Sequence, residues 1–314
     1  MSAIAKSQKI KGEAFLSEAE QALAKRTWLS SSSEQKYEDA AELYQKAANA
    51  YKVGGFFNEA AGAYNNAAEL YQIKLKNGME ASKCLTETGH CFKKVDTKKA
   101  IVAYRSSIEI LSDAGRLSQA ARLSKEVAGL FENDDDAAED GVTLAIESYQ
   151  QAAELYEIEQ QKSQGNQCLA KVAELSSAAK SPPDYLRACE IYENLGKSCL
   201  DSNLLKFNAK GHFLHCVLCH LANHDSVGAG QAMSRFSSLD YTLSESREGK
   251  FASELIEFVE GGDSEGFATS CFEFDRISKL DPWKTTILLA IRKTIDGGGG
   301  VDGGIDGDDD IDLT

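Results

Sequence analysis

Proline is almost missing from this chain: there are three in 314 residues, and two of them, Pro182 and Pro183, are adjacent. Proline removes an amide donor and clashes with the preceding helical turn, so its scarcity leaves room for long helices joined by short turns. Long apolar runs are missing too. No stretch approaches the roughly 20 apolar residues that span a bilayer, and the opening MSAIAKSQKIKGEAF lacks the apolar core of a secretory signal. No asparagine stands in an Asn-x-Ser/Thr acceptor. Catalytic signatures are lacking as well: G-x-x-x-x-G-K-S/T and H-E-x-x-H do not occur, no G-x-G-x-x-G follows a strand pattern, and the one G-x-S-x-G match, GDSEG (262–266), falls between two helical patterns instead of on a strand-to-helix elbow. The glycine tetrad at 297–300 follows a helical pattern and precedes low-complexity sequence, so it cradles no phosphate. The expectation is a binder or adaptor with no enzymatic activity and no cofactor.

Strongly basic segments are also lacking, which argues against bulk nucleic-acid binding. Net charge is −15, unevenly spread. Residues 36–130 carry 14 Lys and Arg against 11 Asp and Glu, whereas residues 240–314 carry 7 against 18. A slightly basic front and a strongly acidic end suggest two different partners. The eight cysteines fall mostly on apolar helix faces and read as reduced core residues of a cytosolic protein.

What the chain does have is a phrase. AAELYQKAANAY (residues 40–51) returns as AAGAYNNAAELY (60–71), in degraded form from Ala81, Ala100 and Ala120, and nearly restored as AIESYQQAAELY (145–156). Its fifth slot holds Tyr44, Tyr64, Cys84 and Tyr104 at twenty-residue intervals, then Leu123, Tyr149 and Cys168. Small residues at i, i+1, i+7 and i+8 share one helical face with the larger residue at i+4, so a neighbouring backbone can approach closely. One such helix every twenty residues predicts an all-α fold, a right-handed α-solenoid of tetratricopeptide-like hairpins.

Taken in order, residues 5–26 predict an amphipathic helix, followed by the serine-rich loop TWLSSSSEQ (27–35). Trp28 and Leu29 at its start either fold back over the first helix pair or dip into a membrane surface, where tryptophan is favoured. Turns are expected at Gly54–Gly55, Asn77–Gly78 and Gly115, where left-handed backbone suits glycine or asparagine. ENDDDAAEDG (132–141) reads as a solvated acidic linker, and SPPD (181–184) as the opening of an eighth helix with proline in its first turn. The slot before the fifth position holds Lys83, Arg122 and Gln167, a polar ladder that Arg116 and Lys171 extend. HFLHCVLCHLANH places Cys216, Cys219 and His220 at i, i+3 and i+4, with His212 a turn back. Zinc accepts such ligands, but structural sites draw them from two elements, and here the helical pattern is unbroken. No metal is expected. The period is lost from Ser226, and helices near 227–236, 244–260, 263–273 and 282–295 predict a C-terminal bundle with Trp283, Ile287, Leu288 and Ile291 in its core. Residues 296–314 hold seven aspartates and no base, an acidic tail with no core-forming pattern.

Several stretches carry a specific resemblance: CFKKVDTKKAI (91–101), IEILSDAGRLSQAAR (108–122), CLAKVAEL (168–175), SNLLKFNAK (202–210) and DRISKLDPWKTTILLAIRKTI (275–295), with a D-L-x ending. On these the chain resembles, end to end, the alpha-SNAP family, the soluble attachment proteins of the N-ethylmaleimide-sensitive factor (NSF). The resemblance implies a repeat sheet over 1–225 with a membrane-facing loop at 27–35, a bundle over 226–295 and a disordered acidic tail over 296–314. It implies an adaptor, monomeric alone, that binds the four-helix complex of syntaxin-type SNAREs in several copies and recruits the NSF ATPase for disassembly. SNARE-binding positions match Lys94, Arg116, Arg122, Lys171, Lys206 and Lys210. ATPase-recruiting positions match Asp225, Glu257, Glu260 and Leu313. Gln167 and Gly261 depart from the family's charged pattern, and the loop offers only Trp28 and Leu29 where relatives bear several phenylalanines, implying weak, peripheral membrane contact from the cytoplasm. Without the resemblance, a generic tetratricopeptide scaffold or co-chaperone fits the repeat.

Overall fold

The computed structural model describes residues 2–25, 30–133 and 140–298. Among the described residues every regular element is helical: α1 (Ala3–Ala24), α2 (Ser30–Gly54), α3 (Phe57–Glu69), α4 (Gly78–Phe92), α5 (Thr97–Asp113), α6 (Leu117–Glu132), α7 (Asp140–Ile158), α8 (Lys162–Ala178), α9 (Tyr185–Leu200), α10 (Ala209–Ala222), α11 (Ser226–Leu239), α12 (Arg247–Gly261), α13 (Ser264–Ile277) and α14 (Pro282–Gly298). They gather into two compact units, residues 1–171 and 172–314. The division falls inside α8, so α9 and α10, which the period assigns to the array, belong to the same unit as α11–α14.

In the first unit each helix from α1 to α6 packs on the next. Short turns join α2 through α6, so these consecutive helices run antiparallel. The phrase does what its spacing predicts. Tyr44, Tyr64, Cys84, Tyr104, Leu123, Tyr149 and Cys168 are all buried, none more than 7% exposed. The alanines that open each phrase (Ala40, Ala60, Ala81, Ala100, Ala120, Ala145) are fully buried. Close approach also depends on glycines that the phrase does not contain. A Cβ at Gly89 of α4 would lie 2.4 Å from the Tyr104 ring of α5, and one at Gly12 of α1 would lie 2.7 Å from Tyr51 of α2. At Gly62, on the exposed side of α3, a Cβ would meet nothing within 4 Å. Gly89→Ala should therefore destabilise the chain by about 1–3 kcal/mol through overpacking, while Gly62→Ala should stabilise it by about 0.5–1 kcal/mol through helix propensity. Urea midpoints check the pair, and equal shifts of one sign would refute the cradle.

Several boundaries differ from the sequence reading. The first helix is capped by Ser2, whose side chain accepts from the Ala5 amide, and so begins earlier. Ser30–Gln35, expected as loop, form the first turns of α2; Trp28 and Leu29 lie outside the described residues. Gly55 and Gly115 take the expected left-handed backbone, but at the third turn Lys76 does so. Asn77 is freed to cap α4, accepting from the Glu80 amide at 3.2 Å. Pro182 and Pro183 precede α9 instead of opening it, because Asp184 caps that helix through the Arg187 amide. Likewise Ser246, not Ser244, caps α12.

In the second unit α10 is the hub, packing on α9, α11, α12 and α14. It buries Phe213, Leu214, Val217, Leu218 and Leu221, with Phe213 stacked on Phe236 of α11 at 4.2 Å. Trp283, Ile287, Leu288 and Ile291 of α14 are buried as expected. The eight cysteines are free thiols, seven of them buried.

Candidate functional site

The sequence pattern treats all helices of the array alike, but the slot before the fifth position is exposed at Lys83 (α4), Arg122 (α6) and Gln167 (α8) and buried at Ala63 (α3), Ala103 (α5) and Ser148 (α7). The difference is one of register: Lys83 and Arg122 stand two residues after the alanines that open their phrases, Ala63, Ala103 and Ser148 stand three after theirs, and the residues two after the opening alanine on the odd-numbered helices, Gly62, Val102 and Glu147, are exposed as well. Lys83, Arg122 and Gln167 all lie on even-numbered helices. Polar bridges tie these helices together. Lys52 of α2 pairs with Glu87 of α4, and Lys93 at the end of α4 pairs with Glu126 of α6 at 2.7 Å. Lys125 of α6 donates to Gln167 of α8 at 3.4 Å.

Beside α6 lies an open cleft of about 740 Å³, floored by Leu130, Tyr149 and Tyr156 and rimmed by Lys93, Arg122, Lys125 and Glu126. Three cations stand against one carboxylate on that rim. Lys93 is committed to Glu126 and Lys125 to Gln167, but Arg122 is exposed and, among the described residues, has no carboxylate within ion-pair distance. Spacing explains the grouping: Arg122, Lys125, Glu126 and Gly129 fall at i, i+3, i+4 and i+7, one face of α6. Lys93 and Lys125 are not among the positions the family pattern picks out. Lys125 was legible from that spacing; Lys93 becomes visible only through its bridge between helices.

The other candidates are more dispersed. Arg116 is exposed on the turn before α6, where its carbonyl accepts from the Gln119 and Ala120 amides. Lys94 is exposed on the turn between α4 and α5. Antiparallel packing puts these turns at opposite ends of α5, about 25 Å apart for a helix of that length. Lys171 donates to Glu132 at 2.9 Å, and the same carboxylate accepts from Tyr149 Oη at 2.8 Å. Glu132 is therefore no mere solvated linker residue, and a partner that takes Lys171 must compete with it.

In the second unit, Lys206 lies in a single tight turn (Lys206–Asn208), its ammonium 5.4 Å from the Phe207 ring centroid. Around it Leu204 and Phe207 are 90% and 73% exposed, an apolar patch beside a cation. Lys210 donates to the Thr242 carbonyl at 3.3 Å. Asp225 caps α11 through the Gly228 amide at 2.8 Å and meets His220 Nδ1 at 3.1 Å. The Gly228 amide, helped by His220, holds its carboxyl below the ordinary range. Glu257 and Glu260 are exposed near the end of α12, which Gly262 closes in left-handed conformation. Leu313 lies outside the described residues.

Among the described residues no helix is long and apolar enough to cross a membrane. A model of the family described as "Soluble NSF attachment protein, SNAP" matches residues 10–296. An alpha-soluble NSF attachment protein of Vitis vinifera is 34% identical over 285 residues, covering 91% of this chain and 94% of its own. The alpha-soluble NSF attachment protein of Homo sapiens is 35% identical over 262 residues, covering 83% and 86%. A vesicular-fusion protein of Komagataella phaffii is 32% identical over 291 residues, covering 89% and 96%. With the match running through both units, the chain belongs to the soluble NSF attachment protein family.

Proposed function

We propose that this chain is an adaptor that binds assembled SNARE complexes and recruits and stimulates the NSF ATPase, so that SNAREs are disassembled after vesicle fusion. Family membership over residues 10–296 carries the reading. The relatives are named attachment and vesicular-fusion proteins, and the catalytic signatures of a nucleotide hydrolase are absent from the sequence.

The proposed division of labour follows the charge. The even-helix layer of the first unit, with Arg122 at the cleft and Arg116 and Lys94 at the turns, faces the acidic exterior of a SNARE bundle. Cations spread over about 25 Å suit a rod-shaped partner better than a small ligand. Lys171, Lys206 and Lys210 extend the contact. In the second unit, Glu257 and Glu260 of α12, Asp225 and the penultimate Leu313 face the ATPase. Trp28 and Leu29 supply a weak peripheral contact with the membrane from the cytoplasmic side, and several copies act on one SNARE complex.

A disassembly assay with purified SNARE complex, ATP and NSF tests this. Adding the chain should convert no measurable release into sustained release of free SNAREs, and Leu313→Ala should retain SNARE capture while reducing ATPase stimulation. No release in the presence of the wild-type chain would overturn the function. Equal loss of capture and stimulation in Leu313→Ala would overturn the separate C-terminal role.

A further inference from the structure

We propose that Cys189, Cys216 and His220 form a binding site for a thiophilic divalent cation, zinc, between α9 and α10. The sequence speaks against metal because its soft ligands crowd one unbroken helix. The fold supplies the second element: Cys189 of α9, 27 residues before Cys216, directs its thiol at the Cys216 carbonyl, 3.5 Å away. The ligand atoms of Cys189, Cys216 and His220 all lie within 4.8 Å of one another, the one cluster of this kind among the described residues. Tetrahedral zinc with Zn–S and Zn–N bonds near 2.3 and 2.0 Å holds its ligands roughly 3.3–3.8 Å apart. A contraction of at most about 1–1.5 Å brings the three ligands to bonding distance, and water takes the fourth position.

The neighbouring groups support this set over the one suggested by sequence spacing. His212 and His215 are turned into an aromatic cluster, with His215 against Trp283 at 4.4 Å and His212 stacked on Tyr192 at 6.3 Å. Cys219 is buried but does not join the group. His220 meets Asp225 Oδ2 through Nδ1 at 3.1 Å. That contact places the ring proton on Nδ1 and leaves the Nε2 lone pair for a metal, the carboxylate–histidine pairing typical of zinc sites. Charge balances as well. Two thiolates and a neutral imidazole cancel a divalent cation, so the site carries no net charge where Cys189 and Cys216 are buried. His220 and Asp225 are the more exposed members and provide the way in. Binding replaces the two S–H bonds by Zn–S bonds and releases two protons to solvent, so affinity rises with pH. The ion would join α9 to α10 and, through Asp225, to the first turn of α11.

Titration of the full-length, reduced, metal-free chain with cobalt chloride, then zinc chloride, tests the site. One cobalt per chain should give thiolate-to-metal charge transfer in the near ultraviolet and tetrahedral d–d bands, both abolished by one equivalent of zinc. Asp225→Asn, which keeps the helix cap, should weaken binding about 10–100-fold. His220→Gln should weaken it at least as much, and Cys199→Ser should change nothing. Circular dichroism reports whether each variant is folded, and His220→Gln leaves both sulfurs in place should Cys189→Ala fail to fold. The absence of a charge-transfer band in the wild-type chain overturns the proposal, because cobalt on carboxylates alone gives none. So does binding by His220→Gln equal to wild type.

Discussion

Trp283→Ala should cost about 3–5 kcal/mol, the range for deleting a large aromatic side chain from a core. The indole is 8% exposed and sits where three helices converge on α14. Its Nε1–H donates to Ser177 Oγ of α8 at 2.9 Å. Its ring meets Tyr192 of α9 edge-on at 5.4 Å and tilts over His215 of α10 at 4.4 Å. Alanine removes all three contacts and leaves a cavity too hemmed in by helices to collapse fully. The Ser177 hydroxyl keeps its bond to the Ala173 carbonyl but loses its donor. Trp283→Phe keeps most of the ring and should cost less than half as much. Hydrogen exchange on the full chain locates the effect: amides of α9–α14 should lose protection while those of α2–α6 do not. Equal loss in both sets would show that the two units unfold as one, and an unchanged urea midpoint would dismiss the indole as a keystone.

That tryptophan also marks what could be read before the fold was known. Its burial was legible, because it opens the Ile- and Leu-rich helical stretch PWKTTILLAIRKTI (282–295). Its partners were not. Ser177, Tyr192 and His215 lie 68–106 residues earlier, on segments that the period assigns to the array. A period describes how each helix meets its immediate neighbours and says nothing about where an aperiodic segment docks. The same limit explains Gly89 and Gly196, whose absent side chains make room for Tyr104 and Phe213. A mid-helix glycine looks like a weak helix former until the aromatic ring of the next helix is seen against it.

The candidate site divides along similar lines. Arg122 could be found because its slot repeats, but the layer of even-numbered helices it belongs to could not, since one-dimensional spacing does not show which side chains bridge from helix to helix. Family likeness points to Lys94, Arg116 and Lys171 without indicating that the first two stand at opposite ends of α5 or that the third is held by Glu132. Cys189 could not be joined to Cys216 and His220, because a soft-ligand set split between two helices leaves no local signature. Helix ends were read less well: the Ser2 cap was passed over in favour of a start at residue 5, Asp225 was not seen as a cap, and at Asp184 the adjacent prolines drew the boundary too early.

Replacing Arg116 and Arg122 together by glutamate should reduce capture of purified SNARE complex about 30-fold or more per bound chain. A single exposed ion pair contributes about 0–1 kcal/mol, and reversing a charge replaces attraction by repulsion of similar size, so two sites lose about 2–3 kcal/mol. Several chains on one bundle multiply that loss, because each holds the complex at high effective concentration for the others. Folding should be spared. Neither arginine has a carboxylate partner among the described residues, and at position 122 the new glutamate would gain Lys125 as a neighbour while meeting Glu126. Lys98→Glu on α5 makes the same charge change per site on an odd-numbered helix and should leave capture within about twofold. Salt supplies an independent reading. Exposed contacts are screened over about 8–10 Å near physiological ionic strength, so wild-type capture should fall steeply as salt rises and the double variant's residual capture should fall less. Salt-insensitive capture by the wild-type chain, or a Lys98→Glu loss as large as the double reversal, would move the SNARE surface off the even-helix layer.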